Sequence, residues 1–63
     1  MTDQDMQIVR SAFAEAALAA REKGLSGYRA AIAVRSATAR VASRILGRDF
    51  SVDDIDRLLM DAQ

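Results

Sequence analysis

Alanine is the residue that most constrains what this chain can fold into. Thirteen of the 63 residues are alanine and none is proline. Such a chain forms helices readily, because alanine has the highest helix propensity and proline, which interrupts helices, is missing. An alanine side chain buries little apolar area, however, and contributes little to a hydrophobic core. We therefore expect one small helical domain over residues 1–63, with a thin core for its length.

The first two predicted helices form a hairpin. Thr2 and Asp5 have the spacing of a capping box, which predicts a first helix over about residues 2–23. Gly24 follows it as the residue that ends the helix in a left-handed conformation. A second helix is predicted over about residues 27–46. The connection between the two helices is short, so we expect them to pack antiparallel to each other.

A short third amphipathic helix is predicted over about residues 52–62. Ser51 and Asp54 form a second capping box, and Phe50 and Ile55 have the spacing of a hydrophobic staple. Its predicted apolar face consists of Val52, Ile55, Leu58, Leu59 and Ala62. Because so short a helix is unstable alone, it must dock on the hairpin or on a partner. The predicted fold is all-α.

The hairpin helices also carry apolar stripes. In the first helix the stripe consists of Met6, Val9, Phe13, Ala16 and Ala20. In the second helix it consists of Tyr28, Ala31, Val34, Val41, Ala42 and Ile45, flanked by Ile32 and Leu46. The first set recurs every three or four residues and forms one stripe, whereas the second set forms a broader arc of its helix.

The small core is expected to be supplemented by association. The chain has neither cysteine nor histidine, so disulfides and the usual structural metal sites, which stabilise many small domains, are excluded. We therefore expect a homo-oligomeric bundle, a homodimer or a higher oligomer. Its predicted interface consists of Ile8, Leu18, Tyr28, Ile32 and Arg35.

Arg35 is the unusual member of that interface, since it projects from the middle of an apolar face. An unpaired charge is costly to bury. The side chain therefore either extends to the edge of the face with its guanidinium in water, or pairs with a carboxylate and fixes the register of an interface. Glu15 and Glu22 are the candidate partners, within the chain or in a second copy.

Charge is unevenly distributed along a chain whose net charge is zero. Residues 27–48 contain five arginines and no acid, whereas residues 49–63 contain five aspartates and one arginine. At 100° per residue, four of the arginines fall on the solvent side of the second helix, opposite its apolar face. This predicted partner-binding face consists of Arg29, Arg40, Arg44 and Arg48.

Three functions fit this basic face. Arginine binds carboxylates and phosphates equally well through its planar fork. The favoured function is a protein interaction module, a small regulator, inhibitor or adaptor that binds a larger partner with an acidic surface. The alternatives are a nucleic-acid-binding protein that uses the same arginines, and a purely structural, oligomer-forming subunit whose basic face is only solvated.

Other functions are disfavoured by the residues themselves. Without histidine, a catalytic serine has no histidine base, and we expect neither enzymatic activity nor a cofactor or metal. No stretch reaches the ~18 apolar residues of a membrane span, and the acidic N-terminus does not resemble a signal peptide. We therefore expect a cytoplasmic protein without membrane contact. A helix-turn-helix also fails, because aligning its turn glycine with Gly47 places Asp53 at a position that the motif buries.

Overall fold

The computed structural model describes residues 2–60 in full and the backbone of residue 61. Its three α-helices are α1 (Asp3–Glu22), α2 (Gly27–Leu46) and α3 (Val52–Asp61). α1 and α2 pack against each other along the hairpin, and α3 packs mainly on α2. The predicted all-α hairpin with a short third helix is confirmed, with helix boundaries that agree within about one residue. Ala62, which was predicted on the apolar face of α3, lies outside the described residues.

The connection between α1 and α2 is set by the end of α1. Gly24 adopts a left-handed conformation with φ +77°. Its backbone N–H donates to the carbonyl oxygen of Arg21, and the N–H of Leu25 donates to that of Ala20, both at 3.0 Å. These two bonds form a Schellman motif, which satisfies carbonyl groups that the helix end leaves unpaired. The predicted role of Gly24 is confirmed.

The hydrophobic core lies where the three helices meet. Its buried residues are Val9 of α1, Ala39 and Ala42 of α2, and Ile55 of α3. Partly buried apolar side chains surround this cluster, namely Leu46, Phe50, Leu58 and Leu59. Two of the four central residues are alanines, so the core is as thin as the composition predicts.

The buried face of α2 differs from the predicted one at four positions. Tyr28 and Ile45 remain exposed, although the apolar pattern placed both on the inward stripe. Thr38 and Ala39 are buried instead, because α2 packs against α3 as well as against α1. The Thr38 hydroxyl donates to the carbonyl oxygen of Val34 at 2.7 Å, so its burial leaves no polar atom unpaired.

Ser43 fixes the connection between α2 and α3. Its hydroxyl donates to the carbonyl oxygen of Ala39 at 2.7 Å and accepts from the backbone N–H of Phe50 at 2.9 Å. Between these residues, Gly47 ends α2 in a left-handed conformation with φ +68°. The serine side chain thus ties the segment before α3 to the last turns of α2. This bond joins residues seven positions apart, and no periodicity of the sequence indicates it.

α3 begins with a complete capping box. The backbone N–H of Asp54 donates to the Ser51 hydroxyl at 3.1 Å, and the backbone N–H of Ser51 donates to the Asp54 carboxylate at 3.0 Å. Hydrogen bonding to the Asp54 carboxylate by the backbone N–H of Ser51, and then by its side chain, holds the pKa of Asp54 below its ordinary value of 3.8, and the positive charge of Arg57 contributes in the same direction. The predicted capping box at Ser51 is confirmed.

This lowered pKa predicts how α3 responds to acid. A carboxyl group whose pKa is lower in the folded state stabilises fully above its unfolded value and loses that contribution as the pH falls through the folded value. We therefore expect the cap to weaken below about pH 3.8. In a circular dichroism titration, Asp54→Asn should lose less stability over this range than the wild type. An identical acid response of both proteins would contradict the prediction.

Candidate interaction surface

The five arginines between residues 27 and 48 divide into two groups in the structure. Arg35 and Arg48 form ion pairs with aspartates of the same chain. Arg29, Arg40 and Arg44 are exposed, and they make no ion pair or hydrogen bond within the described part of the chain. We call these three residues the arginine ridge.

The arginine ridge runs along the solvent side of α2. At 100° per residue, its three side chains fall within an arc of about 60°. From Arg29 to Arg44 the ridge extends over about 22 Å at a rise of 1.5 Å per residue. α2 contains no acidic residue, so no carboxylate of the same helix neutralises it. The ridge is a narrow line of positive charge with its guanidinium groups available to a partner.

A shallow cleft adjoins the arginine ridge. Arg40 lines this cleft of about 220 Å³ between α1 and α2 together with Lys23 of the hairpin connection. Most of the other lining residues are alanines of the two helices, Ala16, Ala19, Ala20, Ala33 and Ala37. Because these side chains are small, a partner that contacts Arg40 can also approach the backbone of both helices closely. Lys23 adds a second cation at the rim of the cleft.

Arg48 does not continue the ridge as the sequence predicted. α2 ends at Leu46, and the left-handed Gly47 turns the chain away from the helix axis. The Arg48 guanidinium instead binds the Asp5 carboxylate at 3.0 Å and lies over the Phe50 ring, 5.4 Å from its centroid. It therefore connects the start of α1 with the segment before α3. The Asp5 carboxylate binds Arg48 here, and the backbone N–H of Asp5 donates to the Thr2 hydroxyl.

Arg35 meets a carboxylate other than the two predicted. Its Nε atom lies 3.0 Å from the Asp56 carboxylate of α3, whereas the sequence suggested Glu15 or Glu22 of α1. The reason is the position of α3, which packs beside Arg35 and brings its own acidic residue there. Sequence patterns on α2 alone do not reveal which helix covers that side.

The remaining predicted interface residues lie in separate places. Ile8 is half-buried and lines a cleft of about 370 Å³ with Val41 and Ile45, near the open end of the hairpin. Tyr28 and Ile32 are exposed on the first turns of α2, close to the connection with α1. Leu18 is exposed on α1, towards the same end. One interface formed by all of these residues would have to extend over both ends of the hairpin.

No family model, curated protein or solved structure matches the chain. Among the described residues, no helix combines the length and the hydropathy that a bilayer span requires.

Proposed function

We propose that this protein is a non-catalytic interaction module that binds the acidic surface of a larger protein through the arginine ridge. In this role it acts as a small regulator, inhibitor or adaptor in the cytoplasm. One observation carries the proposal: Arg35 and Arg48 are paired with aspartates of the chain, while Arg29, Arg40 and Arg44 are exposed on one arc and have no such partner among the described residues. Guanidinium groups bind carboxylates through strong, charge-assisted hydrogen bonds.

A protein partner fits the arginine ridge better than nucleic acid does. Proteins that bind DNA with strong salt dependence make about six to ten phosphate contacts, whereas the ridge offers three arginines. The aspartates of α3 would repel a long phosphate backbone that passed beyond the ridge. An acidic protein patch can match a short line of cations without extending further.

Affinity capture from the native lysate, with and without nuclease, tests the proposal. We expect the wild type to capture a protein whose recovery is insensitive to nuclease and falls as salt is raised. The variant with Arg40→Glu and Arg44→Glu should lose capture at least about tenfold, which corresponds to 1.4 kcal/mol or more. For a matched control, Arg40→Glu alone is compared with Arg21→Glu, which makes the same charge change on the exposed surface of α1.

The alternatives give different results in the same experiment. If the ridge bound nucleic acid, capture would disappear with nuclease, and DNA affinity would fall with salt at a slope of about −2.7 for three phosphates. If the chain were only a structural subunit, the double reversal would leave its captured proteins and its assembly unchanged. Equal loss with Arg21→Glu and Arg40→Glu would also contradict a specific role for the ridge.

A further inference from the structure

Four exposed apolar side chains lie on two neighbouring helix faces. Five of the six large hydrophobic side chains that are exposed in the described residues belong to α2 and α3. Ile45 lies on another side of α2, and the other four are Tyr28, Ile32, Val52 and Met60. Tyr28 and Met60 are 79% and 74% exposed. We call these four residues the α2–α3 patch. Exposed apolar residues that cluster in this way, rather than lying scattered, mark an interaction surface.

Helix geometry brings the four residues together. On α2, Tyr28, Ile32 and Arg35 are spaced four and three residues apart and therefore form one stripe. On α3, Val52, Asp56 and Met60 are spaced four apart and form another. The Arg35–Asp56 ion pair, at 3.0 Å, joins the two stripes.

The direction of α3 places the two stripes side by side. Phe50, just before α3, is bonded to Ser43, and Asp56 further along is paired with Arg35. Moving forward along α3 therefore means moving backward along α2, so the helices are antiparallel. On α3, Met60 lies one turn beyond Asp56. On α2, Ile32 lies one turn from Arg35 in the same direction.

The ion pair at the centre of the patch contains both signs of charge, and both of its side chains remain partly exposed. The side chains of Arg35 and Asp56 are 44% and 37% exposed, and each has further hydrogen-bonding capacity. A partner of one charge would satisfy one of the two groups and repel the other. A second copy of the same surface supplies both an arginine and an aspartate.

We propose that a second copy of this chain covers the α2–α3 patch, in a dimer whose twofold axis passes beside the Arg35–Asp56 pair. A twofold axis makes the interface isologous, so that the same residues meet from both sides. Each Arg35 then lies between the Asp56 carboxylate of its own chain and that of the second copy. The four charges form a ring of alternating sign, surrounded by apolar side chains from both copies.

The size of the molecule is compatible with such an interface. The fold measures 33 × 22 × 17 Å, so an interface of the standard ~800 Å² per partner would extend over most of its broadest face. The arginine ridge stays free in this dimer, because its centre lies about 120° around α2 from the centre of the α2 stripe. The dimer is thus independent of the proposed function and displays two ridges.

Molar mass in solution tests the dimer. In analytical ultracentrifugation of the full chain over a dilution series, we expect the mass of two copies that falls towards one copy on dilution. Ile32→Glu and Met60→Glu should each raise the dissociation constant at least about tenfold. The control is Leu18→Glu, a change of a 55% exposed side chain outside the patch, which should leave the dimer intact. A single-copy mass at every concentration, or equal weakening by Leu18→Glu, overturns the proposal.

A charge-reversal mixture tests the ring itself. Arg35→Asp alone places four negative charges on the axis, and Asp56→Arg alone places four positive charges there, so each variant should be monomeric. When the two variants are mixed, both contacts between chains again join opposite charges, and we expect a heterodimer. Circular dichroism checks that each variant remains helical. A wild-type dimer combined with no heterodimer in the mixture overturns the twofold arrangement.

Discussion

Replacing Ile55 with alanine is expected to lower the free energy of unfolding by about 2–5 kcal/mol. Ile55 is fully buried and is the largest of the fully buried side chains in the described residues. Its truncation removes apolar contacts and leaves a cavity between α3 and the hairpin. A domain of this size has a total stability of about 3–9 kcal/mol at the usual stability per residue. The single change should therefore detach α3 or unfold much of the population.

Urea unfolding followed by circular dichroism measures this effect. The matched control is Ile45→Ala, which is the same substitution at a 57% exposed position of α2 and should cost much less. If both variants unfolded at the same urea concentration, α3 would contribute no more to the core than an exposed side chain does. That result would contradict the placement of Ile55 between the helices.

Enlarging Ala42 to leucine is the second change with a large expected effect. Ala42 is fully buried in the core cluster with Val9 and Ile55. Inserting a larger side chain into a packed core forces neighbouring helices apart and costs about 1–3 kcal/mol. Because α3 is short and packs on this side of α2, it should be the element that moves.

Thermal and urea unfolding of Ala42→Leu measure the cost. Ala14→Leu is the control, since Ala14 is exposed on α1 and the two residues have similar helix propensities. We expect Ala14→Leu to be close to neutral. An Ala42→Leu variant as stable as the wild type would contradict the prediction. It would show that the packing around Ala42 is loose enough to accommodate three more heavy atoms.

The helices could be predicted because their signals are local. The capping residues Thr2 and Ser51 and the left-handed glycines Gly24 and Gly47 act within a few positions of the helix ends that they define. Backbone geometry and hydrogen bonds over one turn of chain are sufficient to explain each of them. This is why the boundaries of the hairpin agree closely with the sequence prediction.

The candidate site could be predicted only in part, because it depends on contacts between distant segments. The sequence places Arg29, Arg40 and Arg44 on one face of α2, and the structure retains that arrangement. It does not show that Arg48 would meet Asp5, 43 positions away, or that α3 would bring Asp56 to Arg35. An apolar pattern likewise shows that a face is hydrophobic, as at Tyr28, without showing whether a neighbour covers it.

The Arg48–Asp5 bond bears on the order in which the molecule assembles. It closes a loop of 43 positions, whereas the hydrogen bonds of the turn at Gly24 join residues only three and five positions apart. Loop-closure entropy grows with the number of residues enclosed, so the long-range contact is entropically the more demanding of the two. Folding is thus expected to nucleate in the local α1–α2 turn, and the segment before α3 is expected to join the start of α1 only when that scaffold exists.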